Sequence, residues 1–220
     1  MKFTLIDMET WNRKEHFDCI SKMDPSLINI TANIDITNLK KFLSENSLKL
    51  YPCIIACISN VVNTHNEFKL AYNDKFQLGT YDIIHPSYTI FHKDDLTFSC
   101  IYSEYTKDIK KLYKIIENDM KQYANLKGYE TRKAPKNSFP ISCNPWVSYT
   151  GYSIIEQKEK LVFAPYIIIG KFIQADSKLL LPITFQISHS VADGFHIGRF
   201  YQELQELVET FKTLYTGGEA

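Results

Sequence analysis

The chain has 220 residues, of which 45% are apolar and 14% aromatic, so it is long enough to bury one sizeable core and too apolar to be disordered. Its 25 Lys and Arg residues balance 25 Asp and Glu residues. This zero formal charge argues against a general nucleic-acid binder or a binder of anionic membranes, because both need a basic excess.

Features at the N-terminus and among the cysteines predict a cytoplasmic protein without a metal site. Asp7 and Glu9 interrupt any secretory apolar region, and the longest apolar stretch, 52–62, is too short to span a bilayer. The five cysteines are odd in number and form no C-x-x-C pair. The histidine pairs, at 85 and 92 and at 189 and 196, lack a third ligand nearby.

In the first half of the chain, alternation of apolar and polar residues over 27–36 predicts a half-buried strand. Thr37 can cap a short helix over 38–46. Pro52 suits the first turn of a second helix over 53–63, which is apolar on most faces and therefore predicted to be buried. Short strands are predicted around 76–79, 87–91 and 97–102.

In the second half, apolar residues at helical spacing over 109–123 predict a surface helix with one buried stripe. The polar, proline-containing segment 128–140 is predicted to be an exposed loop. Further elements follow in order: strands over 146–154, 162–172 and 179–187, a final amphipathic helix over 195–215, and a fraying tail over 216–220.

No linker, repeat or low-complexity segment divides the chain, so we expect a single domain over 1–220. Strands alternating with a few helices predict an α/β (α+β) two-layer sandwich, in which helices pack on a mixed β-sheet. The order of the strands does not follow from the sequence.

The clearest chemical signal is His189, Asp193 and Gly194 in an H-x-x-x-D-G pattern directly after the predicted strand 179–187. This placement suits a general base on a rigid support with a carboxylate nearby. Taken alone, the pattern leaves two other interpretations open. The histidine can be structural, and Asp193 can simply be the N-cap of the following helix.

Four stretches follow one another along the chain: Trp11-Asn12-Arg13-Lys14-Glu15-His16-Phe17, Pro86-Ser87-Tyr88-Thr89-Ile90-Phe91-His92, Ser142-Cys143-Asn144-Pro145-Trp146-Val147-Ser148, and the His189 turn with Gly194-Phe195-His196. Together they resemble the chloramphenicol acetyltransferase family, nearly from end to end. The resemblance implies the CoA-dependent acyltransferase type of sandwich fold. It also implies a homotrimer with its active sites between subunits, and acetyl transfer from acetyl-CoA to a hydroxyl of chloramphenicol.

The same resemblance implies roles for individual residues. His189 corresponds to the general base, with one ring nitrogen bonded to its own backbone carbonyl. Asp193 corresponds to the partner of Arg13 in a buried pair, and Ser142 to the donor that stabilises the tetrahedral oxyanion. From spacing alone, Arg13 could equally be a solvated surface residue and Ser142 a plain loop serine.

Lys171 and Phe172 match positions that the family uses near the adenine and 3′-phosphate of CoA, although they could be an ordinary strand-end pair. On the acceptor side, Phe98, Tyr152 and Ile154 keep apolar character. Other positions depart from the family: Cys19 and Ile20 replace aromatic residues, and Ile168 replaces a threonine. Three hypotheses therefore stand: a chloramphenicol O-acetyltransferase, an acetyltransferase for another hydroxyl, and a non-catalytic trimeric binding relative.

Overall fold

The computed structural model describes residues 2–155 and 162–217. Its helices and strands follow in chain order: β1 (Phe3–Leu5), α1 (Lys14–Lys22), β2 (Leu27–Asp35), α2 (Thr37–Glu45), α3 (Leu50–Thr64), β3 (Leu70–Tyr72), β4 (Leu78–Tyr81), β5 (His85–His92), β6 (Thr97–Tyr102), α4 (Ile109–Tyr123), β7 (Ser138–Cys143), β8 (Tyr166–Ile169), β9 (Ile173–Ala175), β10 (Lys178–Ser188) and α5 (Gly194–Thr216). A short 3₁₀ turn, Asn66–Lys69, links α3 to β3.

The main sheet has the strand order β2-β10-β8-β7-β5-β6, and β9 pairs with one end of β10. The pairings of β7 with β5 and with β8 are parallel, while β10 and β6 pair antiparallel with their neighbours. A separate small sheet has the order β1-β4-β3. The mixed α/β class predicted from the sequence is confirmed.

One face of the main sheet packs against the helices, and the candidate site residue Ser142 lies on the other face. One row of residues in register is almost fully buried and packs toward the helices: Phe185, Ile167, Ile141, Tyr88 and Ile101. Phe185 meets Phe200 of α5 with ring centroids 4.5 Å apart. Because side chains alternate along a strand, the adjacent row of Thr184, Ile168 and Ser142 lies on the opposite face.

The strands over 27–36 and 179–187 and the helices over 38–46, 53–63, 109–123 and 195–215 are confirmed within a few residues. Pro52 lies in the first turn of α3, as predicted, and the helix is buried along most of its length. At the C-terminus, Thr216 is still helical and Gly217 ends α5 in the left-handed conformation with φ 72°. The rest of the predicted fraying tail, 218–220, lies outside the described residues.

Several strand predictions are wrong or displaced. Residues 146–154 form no strand, and the predicted loop 128–140 ends in the internal strand β7. Pro140 obscured this strand, because a proline inside a short run argues against a central strand. The predicted strand 162–172 is limited to β8 among the described residues, and the strand predicted at 76–79 is β4. Besides β7, four further elements were not predicted: β1, α1, β3 and β9.

Candidate active site

His189 directly follows β10, a strand paired on both of its edges and therefore a rigid support. Its backbone N–H donates to the Ser26 carbonyl at 2.9 Å. On the ring, Nδ1 lies 3.1 Å from the Ala192 carbonyl oxygen. A carbonyl can only accept, so this contact places the proton on Nδ1 and leaves the lone pair of Nε2 available to take a proton.

This geometry corrects one expectation from the resemblance. The ring nitrogen bonds to the Ala192 carbonyl and not to the carbonyl of His189 itself. The His189 carbonyl accepts from Nη2 of Arg13 at 3.0 Å. The tight turn brings the Ala192 carbonyl under the ring, where it fixes the same tautomer.

Arg13, just before α1, holds the His189 turn at three points. Its Nε donates to the Ser190 carbonyl at 3.0 Å, Nη1 donates to Asp193 Oδ2 at 2.9 Å, and Nη2 donates to the His189 carbonyl. The predicted meeting of Arg13 and Asp193 is therefore present. The two side chains are 14% and 37% exposed, so the pair is only partly buried and not the buried pair that was expected.

Asp193 has both of the roles that the sequence left open. It is the N-cap of α5, with Oδ1 accepting from the Phe195 N–H at 3.0 Å, and it is the partner of Arg13. Burial acts to raise the pKa of this carboxyl, but the hydrogen bonds from Arg13 and His196 outweigh it and lower the pKa to about 2. The carboxylate is thus charged throughout the neutral range, and it ties the first turn of α5 to the N-terminal segment.

Ser142 lies on the sheet face away from the helices. It is paired with Ile168 of β8, which is paired in turn with Thr184 of β10. Tyr166 stands two residues before Ile168 and therefore points to the same face. Burial raises the pKa of the Tyr166 phenol to about 12, against an opposing hydrogen bond with the Ser142 hydroxyl. The Tyr166 phenol and the Ser142 hydroxyl therefore lie on the same face of the sheet, beside the predicted oxyanion position.

Aromatic side chains surround this face. Phe98 is 47% exposed, and its ring centroid lies 5.9 Å from that of Tyr129. The rings of Tyr149 and Tyr152 are 5.3 Å apart. Ile168 is buried below them. The result is an open, aromatic-lined surface that can receive a flat organic acceptor next to Ser142.

The segment carrying Tyr152 and Ile154 is held by side-chain amides. Gln186 of β10 accepts from the Ile154 N–H at 3.3 Å and donates to the Ile154 carbonyl at 3.0 Å. Asn29 of β2 donates to the Tyr152 carbonyl at 2.6 Å. Within the predicted strand 146–154, the backbone groups of Tyr152 and Ile154 thus pair with side-chain amides and not with a neighbouring strand.

Cys19 and Ile20 lie on α1. Both ends of this helix are close to the His189 turn, because Arg13 before it and Ser26 after it form hydrogen bonds with His189. Cys19 is exposed and Ile20 half-buried. Among the described residues, neither has a hydrogen bond or aromatic contact with the Phe98 and Tyr129 surface. Within one chain, these two predicted acceptor residues therefore lie on the His189 side of the molecule.

Lys171 and Phe172 lie between β8 and β9. The Lys171 N–H donates to the Val147 carbonyl at 3.0 Å, and its side chain is exposed. Phe172 is half-buried, and Lys40 Nζ lies 5.9 Å from its ring centroid. An aromatic ring with a lysine near its face, next to a second lysine in the sequence, has the chemistry to hold an adenine ring and a phosphate, so these residues fit the CoA role that the resemblance implies.

His189 and Ser142 lie far apart within one chain. His189 is five residues along β10 from Thr184, and Ser142 is two strands across from Thr184. At about 3.3 Å per residue and about 4.8 Å per strand, His189 and Ser142 are roughly 19 Å apart. A reacting atom has to lie within about 3 Å of the groups that act on it. The two residues of a single chain therefore cannot act on one substrate.

Sequence reasoning missed Tyr129, Tyr149, Tyr166, Gln186 and Asn29 as contributors to this surface. Tyr166 could have been found from the strand alternation, since it stands two residues before Ile168. The others carry no local signal, because only the strand order brings them together.

The described part of the chain has neither a membrane-spanning helix nor a cluster of metal ligands. None of its helices has the length and apolar character needed to cross a bilayer. Residues 2–155 and 162–217 also contain no group of three or more His, Cys, Asp or Glu side chains arranged to hold a metal ion.

The chain is similar over nearly its whole length to proteins of one family. A family model described as Chloramphenicol acetyltransferase matches residues 1–205. A chloramphenicol acetyltransferase of Clostridium perfringens is 39% identical over 214 residues, covering 97% of this chain and 98% of that protein. One of Clostridioides difficile is 41% identical over 209 residues, covering 94% and 97%.

Solved structures show the same fold. A chloramphenicol acetyltransferase superposes with a TM-score of 0.86 at 19% identity, covering 94% of this chain and 100% of that chain. A dihydrolipoamide acetyltransferase of Azotobacter vinelandii superposes with a TM-score of 0.66 at 16% identity, covering 91% and 88%. The predicted acyltransferase type of fold is thus confirmed, and the chain belongs to the chloramphenicol acetyltransferase family.

Proposed function

We propose that the protein is an O-acetyltransferase that moves the acetyl group of acetyl-CoA to a hydroxyl of chloramphenicol and so confers resistance to this antibiotic. The observation that carries the proposal is His189, with Nδ1 engaged by the Ala192 carbonyl and Nε2 left as a base. The names of the family members similar to this chain supply the substrate.

In the proposed mechanism, Nε2 of His189 removes the proton of the acceptor hydroxyl, and the oxygen attacks the thioester carbonyl of acetyl-CoA. The carbonyl oxygen becomes an oxyanion, to which the Ser142 hydroxyl donates. When the intermediate collapses, the carbon–sulfur bond breaks, and the imidazolium returns the proton to the CoA thiolate. The products are the acetyl ester and free CoA, without an acyl-enzyme.

We propose a homotrimer in which each site joins His189 of one chain to Ser142 and the aromatic surface of the next. The roughly 19 Å separation within a chain supports this assembly. The exposed apolar side chains beside Ser142 support it as well. Phe98 is 47% exposed and Trp146 58% exposed, in a region that a neighbouring chain would cover.

Lys171 and Phe172 would bind the nucleotide end of acetyl-CoA, with Lys40 flanking the ring. We propose a single domain over 1–220 that works in the cytoplasm, where acetyl-CoA is available. All five cysteines are free, which fits a reducing compartment.

A second candidate function is acetylation of another hydroxyl compound. It is favoured by the phenol groups of Tyr129, Tyr152 and Tyr166 on a surface where Ile168 has replaced a family threonine. These polar groups could select an acceptor other than chloramphenicol.

A thiol-release assay separates these functions. Purified protein is mixed with acetyl-CoA and either chloramphenicol or a panel of other alcohols, and free CoA is measured. Turnover with chloramphenicol, well above hydrolysis of acetyl-CoA alone, is expected. Turnover only with other alcohols would support the second function, and no turnover with any acceptor would support a non-catalytic binding protein.

A further inference from the structure

Gln186 acts on the backbone of Ile154 as a neighbouring strand would. Its side-chain oxygen accepts from the Ile154 N–H at 3.3 Å, and its side-chain nitrogen donates to the Ile154 carbonyl at 3.0 Å. Gln186 is only 7% exposed, so water has little access to these groups. Both backbone groups of one residue are thereby satisfied by one side chain.

Asn29 extends this contact along the segment. Its amide nitrogen lies 2.6 Å from the Tyr152 carbonyl and 3.3 Å from the oxygen of Gln186. The two amides come from strands in register, since Gln186 of β10 pairs with Asn29 of β2. They form a two-residue clamp on β2 and β10, the two outermost strands at one edge of the main sheet.

The clamped segment has little other regular support among the described residues. Residues 149–154 have no strand or helix, yet they carry Tyr149 and Tyr152 on the open face beside Ser142. The Tyr149 hydroxyl donates to the Ile168 carbonyl at 2.8 Å and fixes the start of the segment. The position of Tyr152 and Ile154 therefore depends on the clamp.

We propose that Gln186, assisted by Asn29, is a positioning residue that sets the acceptor wall formed by Tyr152 and Ile154 and thereby determines how the acceptor is recognised. This inference rests on the proposed acetyltransferase function. The clamp acts on the acceptor side of the site, whereas Lys171 and Phe172, proposed for CoA, are bound to the backbone at Val147 and packed near Lys40.

A primary amide suits this role better than the side chains closest to it in shape. Glutamate can accept from the Ile154 N–H but has no proton for the Ile154 carbonyl and would repel it. Methionine has nearly the same length and neither hydrogen bond. Gln186→Glu and Gln186→Met thus remove one or both contacts while nearly preserving the volume of the side chain.

The chain offers a matched control in Gln205 of α5. Its side chain makes the same two-point contact, accepting from the Asp35 N–H at 2.9 Å and donating to the Asp35 carbonyl at 3.1 Å. That contact joins α5 to β2 and does not involve the acceptor wall. Gln205→Met therefore removes an equivalent pair of hydrogen bonds elsewhere in the fold.

The test measures KM for chloramphenicol and for acetyl-CoA in the full-length protein and its variants. Gln186→Met should raise the acceptor KM roughly tenfold or more, because the segment that carries Tyr152 and Ile154 loses both hydrogen bonds that position it. The KM for acetyl-CoA should stay within about twofold. Asn29→Ala removes fewer contacts and should shift the acceptor KM in the same direction by less.

Hydrogen exchange at the Ile154 amide tests the clamp independently of turnover. Protection in the wild type should be lost in Gln186→Met and kept in Gln205→Met. Unchanged exchange, or equal effects of the two variants on the acceptor KM, would overturn the proposal.

If the wild type turns over other alcohols but not chloramphenicol, the substrate assignment fails. The same comparison of Gln186→Met with Gln205→Met, made with the active alcohol, then tests the clamp. If no acceptor is used, the exchange experiment decides whether the clamp exists, and the absence of turnover overturns its role in acceptor recognition.

Discussion

Arg13 makes three hydrogen bonds to the turn that carries His189, and they end on three different residues. Two of the acceptors are backbone carbonyls, so the arginine shapes the turn as well as pairing with a charge. This arrangement links the N-terminal segment directly to the position of the imidazole.

We predict that His189→Ala lowers kcat by about two to four orders of magnitude, because a positioned general base is lost. Acetyl-CoA binding and the melting temperature should change little, since the only side-chain hydrogen bond described for the ring is the one to Ala192. Steady-state kinetics check this. His65→Ala is the control, because His65 binds Glu203 at 2.6 Å and should affect stability without affecting kcat. Near-normal turnover of His189→Ala would remove this residue from the mechanism.

We predict that Arg13→Lys behaves almost like Arg13→Ala. A lysine keeps the charge but cannot reach the Ser190 and His189 carbonyls and Asp193 together. The loss in unfolding free energy should be about 1–3 kcal/mol, with a fall in kcat. Denaturant titration and kinetics measure both. A double-mutant cycle with Asp193→Asn should show coupling, and strict additivity would contradict the pair.

The pKa of Asp193 predicts how stability depends on pH. Its folded pKa of about 2 lies below the ordinary value of 3.8, so the charged carboxylate stabilises the fold above about pH 4. This contribution is lost as the pH falls from about 4 through about 2. The gap in melting temperature between wild type and Asp193→Asn should therefore be constant from pH 5 to pH 7 and shrink below about pH 4. A gap that widens in acid would contradict the assignment.

At the scale of single elements, two glycines have opposite predicted effects. A Cβ on Gly170 would lie 2.6 Å from Tyr149 and 2.8 Å from Pro182, whereas a Cβ on Gly198 in α5 would meet nothing within 4 Å. Gly170→Ala should destabilise the protein and push Tyr149 from its place. Gly198→Ala should stabilise it by about 0.5–1 kcal/mol, as for a helix-interior glycine. Thermal unfolding of both variants measures the two changes in stability, and changes of equal size and sign would contradict the prediction.

The long, strongly patterned elements could be predicted from the sequence. The alternation over 27–36 and the apolar stripe over 109–123 became β2 and α4 because their burial follows their own period. The segment 146–154 could not be predicted, since its backbone partners are the amides of Gln186 and Asn29, which are distant in sequence. Strand β7 was missed because its central position follows only from pairing with β5 and β8.

The candidate site also has a part that could be predicted from the sequence and a part that could not. Arg13 and Asp193 were predicted to meet, and they do. The partner of the His189 ring was predicted wrongly, because which carbonyl lies under the imidazole depends on the shape of the turn. The roles of Ser142, Lys171 and Phe172 in catalysis and CoA binding remain predictions. Their placement fits those roles.

For the whole molecule, the central claim is that each active site is shared between two chains. Within one chain the sheet register keeps His189 and Ser142 roughly 19 Å apart. We propose that a neighbouring chain brings its own His189 to Ser142 and the Phe98 surface. A closed homotrimer provides three such equivalent junctions.

The most direct measurement mixes two inactive variants, His189→Ala and Ser142→Ala, in equal amounts, denatures them together, refolds them and assays acetyl transfer. Random assembly of a ring with shared sites restores about one quarter of the sites, because each site needs an intact His189 and an intact Ser142 from neighbouring chains. A parallel mixture of His189→Ala with a Phe98→Ala variant should also recover activity. We predict activity near one quarter of the wild type in the first mixture. Activity no higher than that of the parents, in assemblies that mass spectrometry shows to be mixed, would contradict the shared site, as would a monomer by light scattering.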